Sequence, residues 1–442
     1  MKKTLLSSVF TGAFLLSAAA AFAEGKVTVI TSFPDSMTGP IEAAFEAANP
    51  SYDLEILNKK TSAGVKYIQE IAGDNTADIF WASAPDAFEV LKNNDLLANV
   101  TVKSEGIPDK IGAYPLNDPD GYYFGFAGAG YGIMWNERYL KANGLEPAKE
   151  WDDLAKAEYH NHVGMSAPSR SGTTHLTVET LLQGEGWDAG WAKWKRIAGN
   201  FSTVTERSFG VPDGVNTGNF GLGIVIDFFG FSSRASGFPV DFSYPTVTAL
   251  VPANVGVVNE APNSEGAVAF IEYLLSPEGQ TVLLDPAIMR LPINPASYKN
   301  APEGFPNPFE DSSIGAAVKF DVEKSGARYN LVNSLFDVMI TYRLDDLRAA
   351  VGALHAAEAK HASGDNKEAQ ALIDEAWALI DASPIDEAKS LDPEFAGVFT
   401  KKRTKATDEV GERQAEIEQA WDTMVVENYA KAKELADKAA SM

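Results

Sequence analysis

The stretch PSRSGTTHLTVETLL, Pro168 to Leu182, crowds hydroxyls, a glycine, a guanidinium and an imidazole onto the start of an apolar helical pattern. A helix that begins near Ser171 leaves its first backbone N–H groups without intrahelical partners and carries about half a positive charge at its mouth. Ser171 can cap it, Gly172 lets a ligand approach the backbone, and Thr173 and Thr174 add hydroxyl donors. Arg170 adds a fork suited to phosphate or carboxylate. The combination predicts an anion site, although the same residues also suit a plain serine N-cap with surface neighbours. His175 lies four residues after Ser171 on the same helical face. A hydrolase pair would need more, because no G-x-S-x-G surrounds the serine and no third orienting group is evident. No catalytic residue is assigned, and His175 is expected to donate to a ligand or to pack beside it.

Other segments carry related chemistry. TSFPDSMT sets Ser32 and further hydroxyls beside Phe33 and Asp35, and WASAPD supplies Ser83 and another helix start near Asp86. Both also suit ordinary turns and caps. TERSFGVPDGV places Arg207 and Ser208 ahead of a short helix, a second anion-friendly arrangement. Asp227 closes the apolar run in IVIDFF, where a carboxylate can accept hydrogen bonds from alcohols or an amine, or merely cap the strand. His160 and His162 in YHNHV lack a third ligand nearby and are expected at the surface rather than on a metal. No cofactor is implied.

These residues need a scaffold, and the pattern from Lys26 is α/β. KVTVITSF, YDLEIL and ADIFWAS alternate with helical PIEAAFEAAN, GVKYIQEIA and DAFEVLKNN, which predicts a parallel sheet covered on both faces with ligands at the strands' carboxyl ends. GYYFGFAGAGYGIMWN is an extended crossover into a second lobe, where HVGMSAP and GLGIVIDFFGF are expected as strands; after YPTVTALVP the chain returns to the first. SEGAVAFIEYLLSPEGQTVLL is a long helix broken at Pro277. Beyond about Leu331 the composition turns to Ala, Glu, Lys and Asp. Leu344, Leu347, Val351 and Leu354 share one helical face, and Ile417, Trp421, Met424, Asn428 and Leu435 another.

Lys2 and Lys3, the apolar run Leu5 to Ala20 and Ala21-Phe22-Ala23 predict a signal peptide, residues 1–23, cleaved after Ala23 to give an exported, periplasmic chain. With no cysteine there is neither a disulfide nor a thiolate nucleophile. A formal charge of -24 argues against nucleic acid and against insertion into anionic membranes. It leaves a small anion open, because salt screens distant charges beyond roughly 8 Å.

TVITSFPDSMTGPIEAAFEAANP, ADIFWASAPDAFEVL, AGAGYGIMWNERYL, EWDDLAKAEYHNHVGMSAPSRSGTTH, AVAFIEYLLSPEGQ and DPAIMRLPINP, in that order, resemble the solute-binding proteins of ATP-driven (ABC) importers. The likeness is to the cluster of ferric-iron, thiamine, phosphonate, phosphoglycerate and hexose-phosphate binders. It implies a two-lobed, hinged periplasmic-binding-protein fold of type II that closes on one solute and presents it to a membrane permease. Lobe 1 is expected from residues 24–128 and 251–335, lobe 2 from 129–250, and an additional all-helical C-terminal extension from 336–442. On this basis Arg170, Ser171, Gly172, Thr173, Thr174, Arg207 and Ser208 are expected to hold the anionic end of a phosphorylated or phosphonate-bearing solute. Ser32, Phe33, Asp35, Ser83, His175 and Asp227 are expected to select the remainder. Ferric-iron binders of this cluster carry a histidine, an acid and paired tyrosines where this chain has Pro34, Ser83 and Phe228-Phe229, so the resemblance does not extend to iron's anionic oxygen ligands; a thiamine-type cation equally mismatches a site rich in anion donors. The alternative from another class is a sensory subunit reporting to a membrane kinase through the tail, for which removal of residues 344–442 is expected to leave affinity intact.

Overall fold

A computed structural model describes residues 25–111, 114–399 and 409–442. The expected signal peptide and its cleavage point lie outside the described residues. The strands are β1 (Gly25–Thr31), β2 (Tyr52–Asn58), β3 (Ile79–Ala82), the small β4 (Lys110–Ile111) and β5 (Tyr114–Pro115), and the glycine- and aromatic-rich β6 (Phe124–Asn136). Then come β7 (Val163–Ser166), β8 (Phe201–Thr205), β9 (Leu222–Ile226), β10 (Val240–Ser243), β11 (Leu250–Val257) and β12 (Leu291–Pro292). The main sheet runs β2-β1-β3-β11-β6-β9-β7-β8, with β10 and β12 also on β6.

The parallel expectation holds for β1 with β2 and β3, and for β7 with β8 and β9. It fails at the centre, where β11 is antiparallel to both β3 and β6, and β6 is antiparallel to β9. Strand β6 is buried along all 13 residues and changes partners midway. Its first half pairs with β11 and β12, and Tyr131–Trp135 pairs with β9. One strand thus belongs to both lobes. Its glycines admit close neighbours: a Cβ on Gly132 would meet the Ser243 carbonyl oxygen at 2.2 Å, and one on Gly130 the Tyr244 ring at 2.6 Å.

GLGIVIDFFGF is not one strand. The chain turns helical at Asp227 (Asp227–Ala235), because Phe228, Phe229 and Phe231 are all buried there and a fully apolar run carries no period to separate strand from helix. SEGAVAFIEYLL and PEGQTV are two helices, Ser264–Leu275 and Pro277–Val282, with the Ser276 hydroxyl capping the second.

The opening helix, Gly172–Glu185, is buried on nearly every side, which is how a helix at the centre of several layers looks. Val178, Leu181, Trp191, Trp194 and Ile197 of the second lobe share one hydrophobic cluster with Leu331, Leu335, Leu347, Val351, Leu354, Ile373 and Trp421. The helices Leu344–Lys360, Lys367–Asp381 and Glu412–Ser441 therefore complete that lobe's core. The helix Tyr329–Phe336, in the stretch expected with the first lobe, also packs its leucines into this cluster. On the last helix the buried row is Ile417, Trp421, Val425, Tyr429 and Leu435. Met424 and Asn428 are only half-buried, since the apolar mass of Val425 and Tyr429 turns the helix one residue further.

Candidate functional site

Five chain segments meet in a cleft between the lobes, each leaving the carboxyl end of a parallel strand. They follow β1 (Ser32, Phe33, Pro34), β2 (Lys60, Thr61), β7 (Arg170, Ser171, Thr173), β8 (Arg207, Ser208) and β9 (Phe228, Phe229). The cleft is narrow and partly open to solvent, with free room of only about 10 Å³ between the side chains that line it. Three cationic side chains and five hydroxyls line it, and the Glu206 carboxylate at its edge pairs with two of the cations, Lys60 and Arg170.

Local folding explains the placement. Pro168–Arg170 makes a short 3-10 turn after β7, Ser171 is extended, and its Oγ accepts from Thr174 N at 3.2 Å to start the helix. Arg170 lies flat in the wall: Nη1 reaches the Thr205 carbonyl at 3.5 Å and Glu206 Oε2 at 3.5 Å, while its buried Nε has no acceptor. Arg207 Nη2 donates to Asn58 Oδ1 at 2.9 Å across the cleft, and Lys60 pairs with Glu206 across it as well. Burial lowers the Arg207 pKa below the usual guanidinium value.

The structure gathers Ser32, Phe33, Arg170, Ser171, Thr173, Arg207 and Ser208 around this cleft. Six other expected contacts lie off its lining. Gly172 donates its N–H to Thr61 Oγ1 at 3.3 Å, and Thr174 is buried with its N–H on Ser171, so protein hydroxyls already engage two donors of the helix mouth. Asp35 opens the helix Asp35–Ala48 facing solvent. Ser83 is buried and accepts from Arg290 Nη2 at 2.8 Å. His175 is fully buried: Nδ1 faces Asn333 Oδ1 at 2.8 Å, and Nε2 faces Ser325 Oγ at 3.1 Å and Asp86 Oδ2 at 3.2 Å. Both ring nitrogens point to structural partners rather than to Ser171, so the geometry offers no hydrolase pair.

Asp227 is likewise buried behind the aromatic wall, accepting from Gly130 N at 2.8 Å, Phe228 N at 2.7 Å and Tyr244 Oη at 2.8 Å. Burial pushes its carboxyl up to about 6, against the pull of those hydrogen bonds and of Arg290. The folded value exceeds the unfolded one of roughly 3.9, so the native state binds the extra proton between about pH 4 and pH 6. This group's contribution to stability therefore falls as pH rises through that window. Asp227→Asn should remove that slope. Urea melts at about pH 4.5 and about pH 6.5 check this, and a variant with the wild-type slope would refute the assignment.

Lys60 and Thr61 were not among the expected residues. The signal was present in LEILNKKTSAG, where a strand's carboxyl end runs into a helix start as it does after β1. His160 Nδ1 faces Asn200 Oδ1 at 3.2 Å and His162 Nδ1 faces Tyr139 Oη at 2.8 Å, both half-buried instead of exposed.

The model of a family described as bacterial extracellular solute-binding protein matches residues 74–310. The phosphoglycerate transport regulatory protein PgtC of Salmonella typhimurium is 30% identical over 382 residues, spanning 85% of this chain and 90% of that protein. Iron uptake protein A1 of Synechocystis is 28% identical over 210 residues, 44% of this chain and 57% of that protein. Among solved structures, the periplasmic binding protein AfuA from Actinobacillus pleuropneumoniae, with fructose-6-phosphate bound, superposes with a TM-score of 0.63 at 19% identity. That match covers 71% of this chain and 98% of AfuA. The periplasmic binding protein P5PA gives 0.64 at 18% identity, covering 72% and 99%.

Proposed function

Because this chain belongs to the bacterial extracellular solute-binding proteins, we propose that its cleft captures a small phosphorylated or phosphonate-bearing organic anion in the periplasm and delivers it to the membrane permease of an ABC importer. The observation that carries this reading is the lining itself: Lys60, Arg170 and Arg207 with the hydroxyls of Ser32, Thr61, Ser171, Thr173 and Ser208, against the single carboxylate of Glu206, which a bound anion would displace from Lys60 and Arg170. A doubly charged head group would meet several charge-assisted donors there. Micromolar affinity needs about 8 kcal/mol net, which a handful of such bonds at roughly 1.5–3 kcal/mol each can supply together with apolar contact on Phe228 and Phe229. Fe(III) would lack anionic oxygen ligands here, and a thiamine-type cation would face three positive side chains. The names of two relatives, one for phosphoglycerate and one with fructose-6-phosphate bound, lean the same way.

The test is a thermal-shift and calorimetric panel of glycerol 3-phosphate, 3-phosphoglycerate, fructose 6-phosphate, simple phosphonates, carboxylates, thiamine and Fe(III). A ligand at about 100 times its dissociation constant adds about 2.7 kcal/mol of stability. Arg170→Ala is expected to weaken the best phosphorylated ligand by about 10- to 100-fold, because one charge-assisted donor set is lost. Stabilisation by Fe(III) or thiamine, with silence from every phosphorylated or phosphonate compound, would overturn the solute class.

A further inference from the structure

Arg290 sits beneath the cleft and is fully buried. A guanidinium has five N–H donors and no acceptor. Here Nη2 donates to Ser83 Oγ at 2.8 Å, Nη1 approaches only the Met37 thioether at 3.7 Å, and Nε has no acceptor. No carboxylate forms an ion pair with it among the described residues. Asp227 acts on it only through space, and that carboxylate's oxygens already serve Gly130, Phe228 and Tyr244. Three aromatic rings cover the charge, with centroids at 4.5 Å (Phe228), 4.9 Å (Phe33) and 5.5 Å (Phe126). Two of them, Phe33 and Phe228, are also walls of the cleft.

A buried charge without an ionic partner is costly, and an apolar side chain of similar volume commonly serves packing as well or better. Burial depresses the Arg290 pKa to about 10, so the group remains a cation at neutral pH. One ring's thickness of low-dielectric material separates it from the cleft, where a charge acts more strongly than through water.

We propose that Arg290 is a positioning residue that raises the cleft's affinity for highly charged anions through the Phe33 and Phe228 rings, without touching the solute. This deepens the solute class proposed above and rests on it. The test compares wild type with Arg290→Met on each phosphate monoester of the panel that the wild type binds, and on the matching sulfate monoester, which carries one charge fewer. Through-space action scales with ligand charge, so R290M should lose about tenfold for the dianionic phosphate ester and about threefold for the monoanionic sulfate. Arg290→Lys, which keeps the charge, should stay within about threefold of wild type. The ligand-free melting temperature of R290M should match or exceed that of wild type, which a purely structural role would not allow. Should R290M not fold, Arg290→Gln supplies the uncharged side chain.

Equal affinity in variant and wild type, or an equal loss for both esters, overturns the inference while leaving the solute class standing. A wild type that binds no phosphate ester overturns both.

Discussion

Removing residues 344–442 is expected to leave no folded second lobe. Val351 packs onto Gly199, where a Cβ would come within 2.4 Å of its methyl, and Leu347, Leu354, Ile373, Ile380, Trp421 and Val425 close the same cluster over Trp191 and Trp194. Each large apolar side chain stripped of cover forfeits roughly 1.5–3 kcal/mol, so losing this layer exceeds the 5–15 kcal/mol that holds a typical domain together. Polar groups would be stranded as well. Trp187 Nε1 donates to the Ile385 carbonyl at 2.9 Å, and the buried Lys195 Nζ to that of Ala382 at 2.6 Å. Arg196 would lose its two-pronged pair with Asp381. Circular dichroism and dye binding on the truncated chain check this; a soluble product with the native melting temperature and ligand affinity would refute it. The expectation that the tail can be deleted while affinity survives is thereby replaced. A reporting role for the tail has to be probed with point changes on its exposed faces.

Glu179→Ala should cost about 3–5 kcal/mol, the usual penalty for leaving half of a buried ion pair behind. Glu179 on the opening helix and Arg328 ahead of the helix Tyr329–Phe336 are both fully buried and joined by two parallel hydrogen bonds, each 2.8 Å. Arg328 also lies over the Trp187 ring at 4.8 Å and reaches Glu387 at 3.2 Å. Burial alone would raise the Glu179 carboxyl, but the charge and hydrogen bonds of Arg328 outweigh it and hold the pKa below the ordinary value. The pair's contribution is therefore present above that ordinary value and is lost as pH falls through the depressed one. The double variant Glu179→Leu with Arg328→Met should recover most of the loss, because the desolvation cost disappears together with the attraction. Chemical denaturation of the two single variants and the double variant measures this, and additive losses would show that the residues do not act as a pair.

Much of the scaffold was legible in local pattern. β1 and β9 are Val- and Ile-rich runs, β3 and β7 are short apolar runs before polar turns, and the Ser171 cap stands where a serine before Gly-Thr-Thr announces it. The antiparallel placement of β6 and β11 was not legible, because pairing across more than a hundred residues leaves no mark on either strand's composition. Distance also hid the environment of His175. Asn333 and Ser325 lie 158 and 150 residues away in the chain, so an imidazole near a helix mouth looked free for a ligand when it was already engaged. Arg170 and Arg207 were found because guanidinium beside serine at a strand end is a local signature; Ser83 and Asp227 share that position but turn inward toward Arg290 and Tyr244.

The strand shared by the two lobes has a consequence for how the molecule comes apart. Melting either lobe alone would strip one half of β6 of its hydrogen-bonded neighbours while the other half stayed paired. Neither lobe owns a complete sheet, so neither has a stable intermediate to stop at. Two bodies threaded on one ribbon should denature in concert, and heating should show a single cooperative transition rather than a staircase.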